Sequence, residues 1–218
     1  MLDLTPLEAE LLHAALRGDW IELLIGLWPS WGFCPRHAIG FATLELERQD
    51  SLFSTAIYYR HFIEAAASSA AVRRRRWRRI RSRLTGTANC LICERVDAGK
   101  AAGMVGLAKQ VNERRQVRRR IGELRTSWPG RACPLCVEGA GGIVCRPHVL
   151  AGAEPESLAV ELAALHERLR RLVGSMCATK TPTNSLDRFA WLEAIGWLGG
   201  WEYPQRLLNE GERSNDER

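Results

Sequence analysis

Apolar residues recur along the chain at helical intervals, and no stretch shows the strict alternation of a half-buried strand. Thr5-Pro6-Leu7-Glu8 is a capping box with proline at the first helical position, which predicts a helix from there to Arg17. A second, strongly apolar helix is predicted over Trp20–Trp28, ended by Pro29, and a third over Pro35–Leu46, after the corner Gly32-Phe33-Cys34-Pro35. The longest predicted helix spans Ser51–Arg83, with Phe53, Ile57, Tyr58, His61, Phe62 and Ala65 on one side. Residues 92–110 and 112–126 read as helical segments, and 128–148 as a loop rich in Gly, Pro and Cys. After Glu154-Pro155, the residues Leu158, Leu162, Leu165, Leu169 and Leu172 trace one helical stripe that closes at Gly174. A last helix, Ser185–Leu198, turns Phe189, Leu192 and Ile195 to one side and stops at Gly199-Gly200. The expected fold class is all-α, with little or no sheet.

Thr85-Gly86-Thr87-Ala88-Asn89 is the natural break in this pattern. It separates an N-terminal helical lobe, 1–84, from a C-terminal one, 85–218, unless the two form one integrated domain. Residues 209–218 are polar and read as a flexible tail.

With 218 residues, 46% of them apolar, the chain can bury a sizeable core. The most apolar stretch, Trp20–Cys34, contains Glu22 and falls short of the roughly 20 residues a membrane span needs. Met1–Pro6 has no basic run of the kind that opens a secretory signal, so a cytoplasmic location and no membrane association are expected. Seven cysteines in a reducing compartment point to metal rather than to disulfides.

Their spacing carries that reading further. Cys90-Leu91-Ile92-Cys93 and Cys133-Pro134-Leu135-Cys136 are two C-x-x-C corners. Cys34-Pro35-Arg36-His37 and Cys145-Arg146-Pro147-His148 are two C-x-x-H corners, each entered through glycine and an apolar residue. Residues i and i+3 face the same way when the second lies in a first helical turn. Two corners then supply the four donors of a tetrahedral zinc site. Cys133, Cys136, Cys145 and His148 form the compact quartet, which leaves Cys34, His37, Cys90 and Cys93 for a second. The other pairing joins Cys90/Cys93 to Cys145/His148 and Cys133/Cys136 to Cys34/His37, across longer loops. Sites closed by four protein ligands have no open position for a substrate, so two structural Zn²⁺ ions are expected, with an iron–sulfur cluster as the alternative cofactor.

Tandem C-x-x-C … G-[FY]-C-x-x-H units, followed by a helix of the form D-x-x-x-W-x-x-A-x-x-x-x-x-G, resemble a family of uncharacterised bacterial helical proteins. The closing helix here runs from Asp187 through Trp191 and Ala194 to Gly199. The chain departs from that pattern in lacking an N-terminal C-x-x-C and in carrying Cys133–Cys136 inside the second unit. What the resemblance implies is a helical fold and zinc binding, with no known reaction and no ligand pairing.

Charge adds a second theme. The net +6 conceals a basic centre, +14 over residues 71–131, between flanks of −5 and −3. Arg73, Arg74, Arg75, Arg76, Arg78, Arg79, Arg81 and Arg83 crowd around Trp77, on a helix end expected to project from the core. Arg114, Arg115, Arg118, Arg119 and Arg120 form a second block. Guanidinium forks match phosphate oxygens and an aromatic ring can stack on a base, so nucleic acid or a ribonucleoprotein is the expected partner, bound by a non-enzymatic regulator or adaptor. An acidic protein partner is one alternative, and a redox- or metal-responsive switch is another. Enzymatic chemistry has little footing. A thiol oxidoreductase is the least remote version, but no βαβ pattern surrounds either C-x-x-C, and His166-Glu167-Arg168-Leu169-Arg170 fails the H-E-x-x-H pattern at Arg170. His13 and His61 read as helix-face residues and Cys177 as a free thiol. Trp20, Trp28, Trp31, Trp191, Trp197 and Trp201 read as core.

Overall fold

A computed structural model describes residues 4–71, 77–98, 130–177 and 181–213. Its helices are α1 Pro6–Arg17, α2 Trp20–Leu27, α3 Pro35–Gln49, α4 Phe53–Ala70 and α5 Trp77–Leu84. They continue with α6 Leu91–Asp97, α7 Arg146–Ala151, α8 Leu158–Met176, α9 Ser185–Gly199 and α10 Glu202–Arg213. The chain is all-α: no strand occurs among the described residues.

Local rules account for most of the boundaries. The Thr5–Glu8 capping box forms in full, and Asn184–Asp187 forms a second one at the start of α9. Asp19 caps α2 by accepting from the backbone amides of Ile21 and Glu22. The start of α4 has no local cap. Glu45, fully buried on α3, reaches across instead and accepts from the Ser54 and Thr55 amides and the Thr55 hydroxyl. Burial raises the pKa of Glu45 despite these donors.

Several elements differ from expectation. α3 continues past Leu46 to Gln49, where Asp50 adopts a left-handed conformation at φ 48° and ends it. α8 starts at Leu158 rather than Glu154, and it runs through Gly174 to Met176. α10 takes in 209–213, which composition alone assigns to the tail. Its Pro204 falls in the first turn, where a missing N–H costs no helical bond. The single helix expected over Ser51–Arg83 is described as α4 and α5, and Arg73–Arg76 lie outside the described residues. So do 99–129, which include most of the segments expected at 92–110 and 112–126.

The core is built around α4 and α8, which lie along one another with α9 against both. Leu158, Leu162, Leu165, Leu169 and Leu172 are all buried, as the stripe requires. Trp191, Trp197 and Trp201 are each 1% exposed, and Trp31 is buried. Trp20 and Trp28 depart from expectation at 50% and 38% exposed, because α2 turns Leu23 and Leu27 inward and leaves Trp20, Ile21 and Ile25 on its outer face. Charged ties fasten α8 to α9: Arg171 donates to the buried Asp187, and Arg168 to the buried Glu193. The break at 85–89 does not stand apart, since the amides of Thr87 and Ala88 donate to the Pro29 carbonyl.

Leu169→Ala should lower the unfolding free energy of the metal-loaded protein by about 2–5 kcal/mol in a urea titration. Val160→Ala, at an exposed position, should change it by less than about 0.5 kcal/mol.

Candidate metal centres

The two C-x-x-H corners are built alike. Cys34 is the N-cap of α3 and Cys145 the N-cap of α7. Each is followed by a proline in the first two helical positions, and His37 or His148 completes the first turn. The entering glycines serve different ends. Gly32 adopts φ 100°, beside Trp31 at φ 59°, and this left-handed pair reverses the chain into Cys34. A non-glycine residue in that conformation costs about 1–2 kcal/mol, and burial of the Trp31 ring offsets it. Gly142 donates to the Ala132 carbonyl, and a side chain there would run into the backbone of Arg131. That contact closes the loop that brings Cys133 and Cys136 back to Cys145.

Two quartets result: Cys34, His37, Cys90 and Cys93, and Cys133, Cys136, Cys145 and His148. In each, all four donor atoms lie within 4.8 Å of one another. This is the compact pairing; the crossed one is excluded. In the first quartet, His37 Nδ1 lies 3.2 Å from Cys34 Sγ and 3.5 Å from the sulfurs of Cys90 and Cys93. In the second, His148 Nδ1 lies 3.1 Å from Cys145, 3.5 Å from Cys136 and 3.7 Å from Cys133. The Cys136 and Cys145 sulfurs are 3.6 Å apart and unbonded. A tetrahedral ion with sulfur at about 2.3 Å and nitrogen at about 2.0 Å requires edges of about 3.5–3.8 Å. Both quartets fit a single four-coordinate ion.

The electrostatics call for a cation. The Cys34 thiol, bonded to the Cys90 sulfur, pulls the Cys90 pKa down to about 3, and the same bond pushes Cys34 up. Burial, then the Cys90 charge, raises Cys93. Burial raises Cys136 and Cys145 as well, and neighbouring sulfurs add to it. Crowding thus lets one thiolate form only by keeping protons on its neighbours, whereas a divalent ion stabilises them all together.

Around the first quartet lies a residue the sequence marks only as a helix cap. His37 Nε2 is 3.0 Å from Glu8 Oε1, and both residues are buried. Glu8 Oε2 accepts from the Thr5 amide at 2.7 Å and from Arg36 Nη2 at 2.6 Å. Burial alone would raise the Glu8 pKa, but the donors from Thr5 and His37 and the charge of Arg36 lower it overall. Burial likewise opposes a charged His37, and its bonds to Cys90 and Glu8 outweigh that, so its pKa rises.

The second quartet is tied to the core by Arg146, inside its own corner. Arg146 Nε donates to the Leu84 carbonyl at 2.7 Å and Nη1 to the Leu198 carbonyl at 3.2 Å, at the C-terminal ends of α5 and α9. Its guanidinium also lies over the Trp31 ring, 5.6 Å from the centroid. Burial lowers its pKa to about 10. Trp197 Nε1 adds a bond to the Val144 carbonyl. Only the repetition of an arginine between cysteine and histidine in both corners hinted at these roles.

The arginine helix divides into two faces. Ile80 and Leu84 are buried, so α5 is packed rather than projecting, and Trp77 leans against the core. Arg81 donates to the carbonyls of Val149 and Gly152 and to Glu154, which binds α5 to α7 and withdraws this side chain from the expected contacts. Arg78, Arg79 and Arg83 are exposed, and among the described residues they make no ion pair. Arg114, Arg115, Arg118, Arg119 and Arg120 lie outside the described residues.

Cys136→Ser should abolish cooperative unfolding at ambient temperature, because a bound structural ion contributes on the order of 10 kcal/mol to folding. Cys177→Ser, at an exposed free thiol, should leave the melting temperature within about 1–2 °C of the parent. Thermal denaturation followed by circular dichroism checks both.

The geometry of the quartets is the finding that the motif resemblance shares. Comparison with known proteins adds nothing to it: no family model, no curated protein and no solved structure matches this chain.

Proposed function

We propose that this chain is a non-enzymatic binding protein, held together by two structural Zn²⁺ ions, that docks on nucleic acid or on a complex containing it. Zinc is favoured over an iron–sulfur cluster because a cluster must fit its irons and sulfides between the ligands, which then stand farther apart than around one ion. Cys₃His ligation with all four positions filled by protein suits a structural role and leaves no place for a reacting water. Reduced thiols of this kind accord with a cytoplasmic protein.

The observation that carries the nucleic-acid reading is the sidedness of α5. Ile80 and Leu84 face the core and Arg81 ties the helix to α7, so Arg78, Arg79 and Arg83 are presented outward from a fixed backbone. They directly follow Arg73–Arg76 in the chain. Rigidly presented guanidinium groups lose less entropy when they meet phosphate than groups on a loose segment do. Binding of this kind reads charge and spacing rather than base sequence.

Random-sequence DNA and RNA should bind at low salt, with affinity falling by roughly 10³ or more between 50 and 200 mM salt. Replacing Arg78, Arg79 and Arg83 together by Gln should reduce the log–log salt slope by about 3 while leaving the melting temperature unchanged. Absence of binding to either nucleic acid at low salt overturns the proposal. Equal binding to polyglutamate would instead favour the acidic-protein reading.

A further inference from the structure

We infer that Glu8 is the outer-sphere carboxylate of the first metal centre, and that it makes this centre the slower of the two to release its ion. The inference rests on the metal reading and deepens it. An imidazole that ligates through Nδ1 carries its remaining proton on Nε2, and a carboxylate accepting that proton fixes both the tautomer and the ring orientation. His37 turns Nδ1 toward three sulfurs and Nε2 toward Glu8 Oε1 at 3.0 Å. Glu8 is itself immobilised. Its other oxygen accepts from the Thr5 amide at 2.7 Å, the Thr5 hydroxyl at 3.0 Å and Arg36 at 2.6 Å. The side chain cannot swing away without unmaking the start of α1.

The second centre has no counterpart. His148 presents Nδ1 to its sulfurs in the same manner, but the residue is only half-buried, and among the described residues its Nε2 has no hydrogen-bond partner. The difference follows from the order of two residues in the corners. Cys-Pro-Arg-His puts Arg36 beside the histidine, where it pairs with Glu8. Cys-Arg-Pro-His moves Arg146 one position back, from which it turns to the Leu84 and Leu198 carbonyls. One imidazole is gripped on its outer nitrogen by protein, and the other is left to solvent.

The full-length protein, loaded with two equivalents of zinc, is challenged with an excess of a chromophoric chelator. Release is expected in two phases of one ion each. Glu8→Gln should accelerate the slow phase by about 10–100-fold and leave the fast phase unchanged. Glu8→Asp, too short to span to His37 while keeping its charge, should do the same. Thr5→Ala separates this role from helix capping: it should lower the melting temperature yet leave both release rates as in the parent. Two phases untouched by both Glu8 variants overturn the inference, as does a slow phase accelerated equally by Thr5→Ala. Release of both ions in a single phase overturns it as well. Failure of the parent to hold two ions is a different result, which overturns the metal reading itself.

Discussion

Six thiols and two imidazoles, drawn from four short corners, are crowded into two spaces too small for their negative charges to coexist unaided. That constraint organises the molecule. Each sulfur brought in raises the cost of ionising the next, as the opposed shifts of Cys34 and Cys90 show. A protein that folds this way has to offset that cost with a cation, and the bound ion then acts as a cross-link between segments far apart in the chain. Cys34 and His37 at the start of α3 meet Cys90 and Cys93 at the start of α6 across more than fifty residues. The ordering entropy of that long loop is borne by ligand bonds rather than by apolar burial alone.

Arginine has an unexpected structural role in this arrangement. Arg36, Arg81 and Arg146 all lie within or against the Cys/His corners, and each uses its fork to join separate elements. Arg146 is the most heavily committed, bridging two helix ends and stacking on Trp31. A lysine would lack the planar geometry to serve two carbonyls and an aromatic face together. The overall excess of arginine therefore cannot be read as ligand-binding charge throughout: part of it is internal scaffolding, and the outward part is confined to particular faces such as that of α5.

The two centres share ligands and local geometry but differ in their surroundings. The first is wrapped by α1 through Glu8 and lies largely inside the protein. The second stands on a tight loop anchored by Arg146 and Trp197, with its histidine partly open to water. Two sites of the same donor set are thus held by different means, one by a polar shell and the other by the packing of the loop that carries it.

Much of this was determined by the sequence itself. The leucine stripe of α8, the two capping boxes and the three-residue spacing of the corners are local patterns, each set by helical geometry over a few residues, and all reappear in the fold. The donor quartets were legible too, because short loops close more readily than long ones. Tertiary structure alone decided the rest. Glu8 carries only a cap signature in the chain, and its bond to His37 arises because α1 packs against α3. Arg81 is indistinguishable by sequence from Arg78 and Arg79, yet the packing of α5 on α7 turns it inward and them outward. Trp20 and Trp28 have the same apolar context as Trp191 and Trp197, and only the orientation of α2 leaves them exposed. Periodicity fixes which residues share a face of a helix, but which face is covered depends on partners distant in the chain.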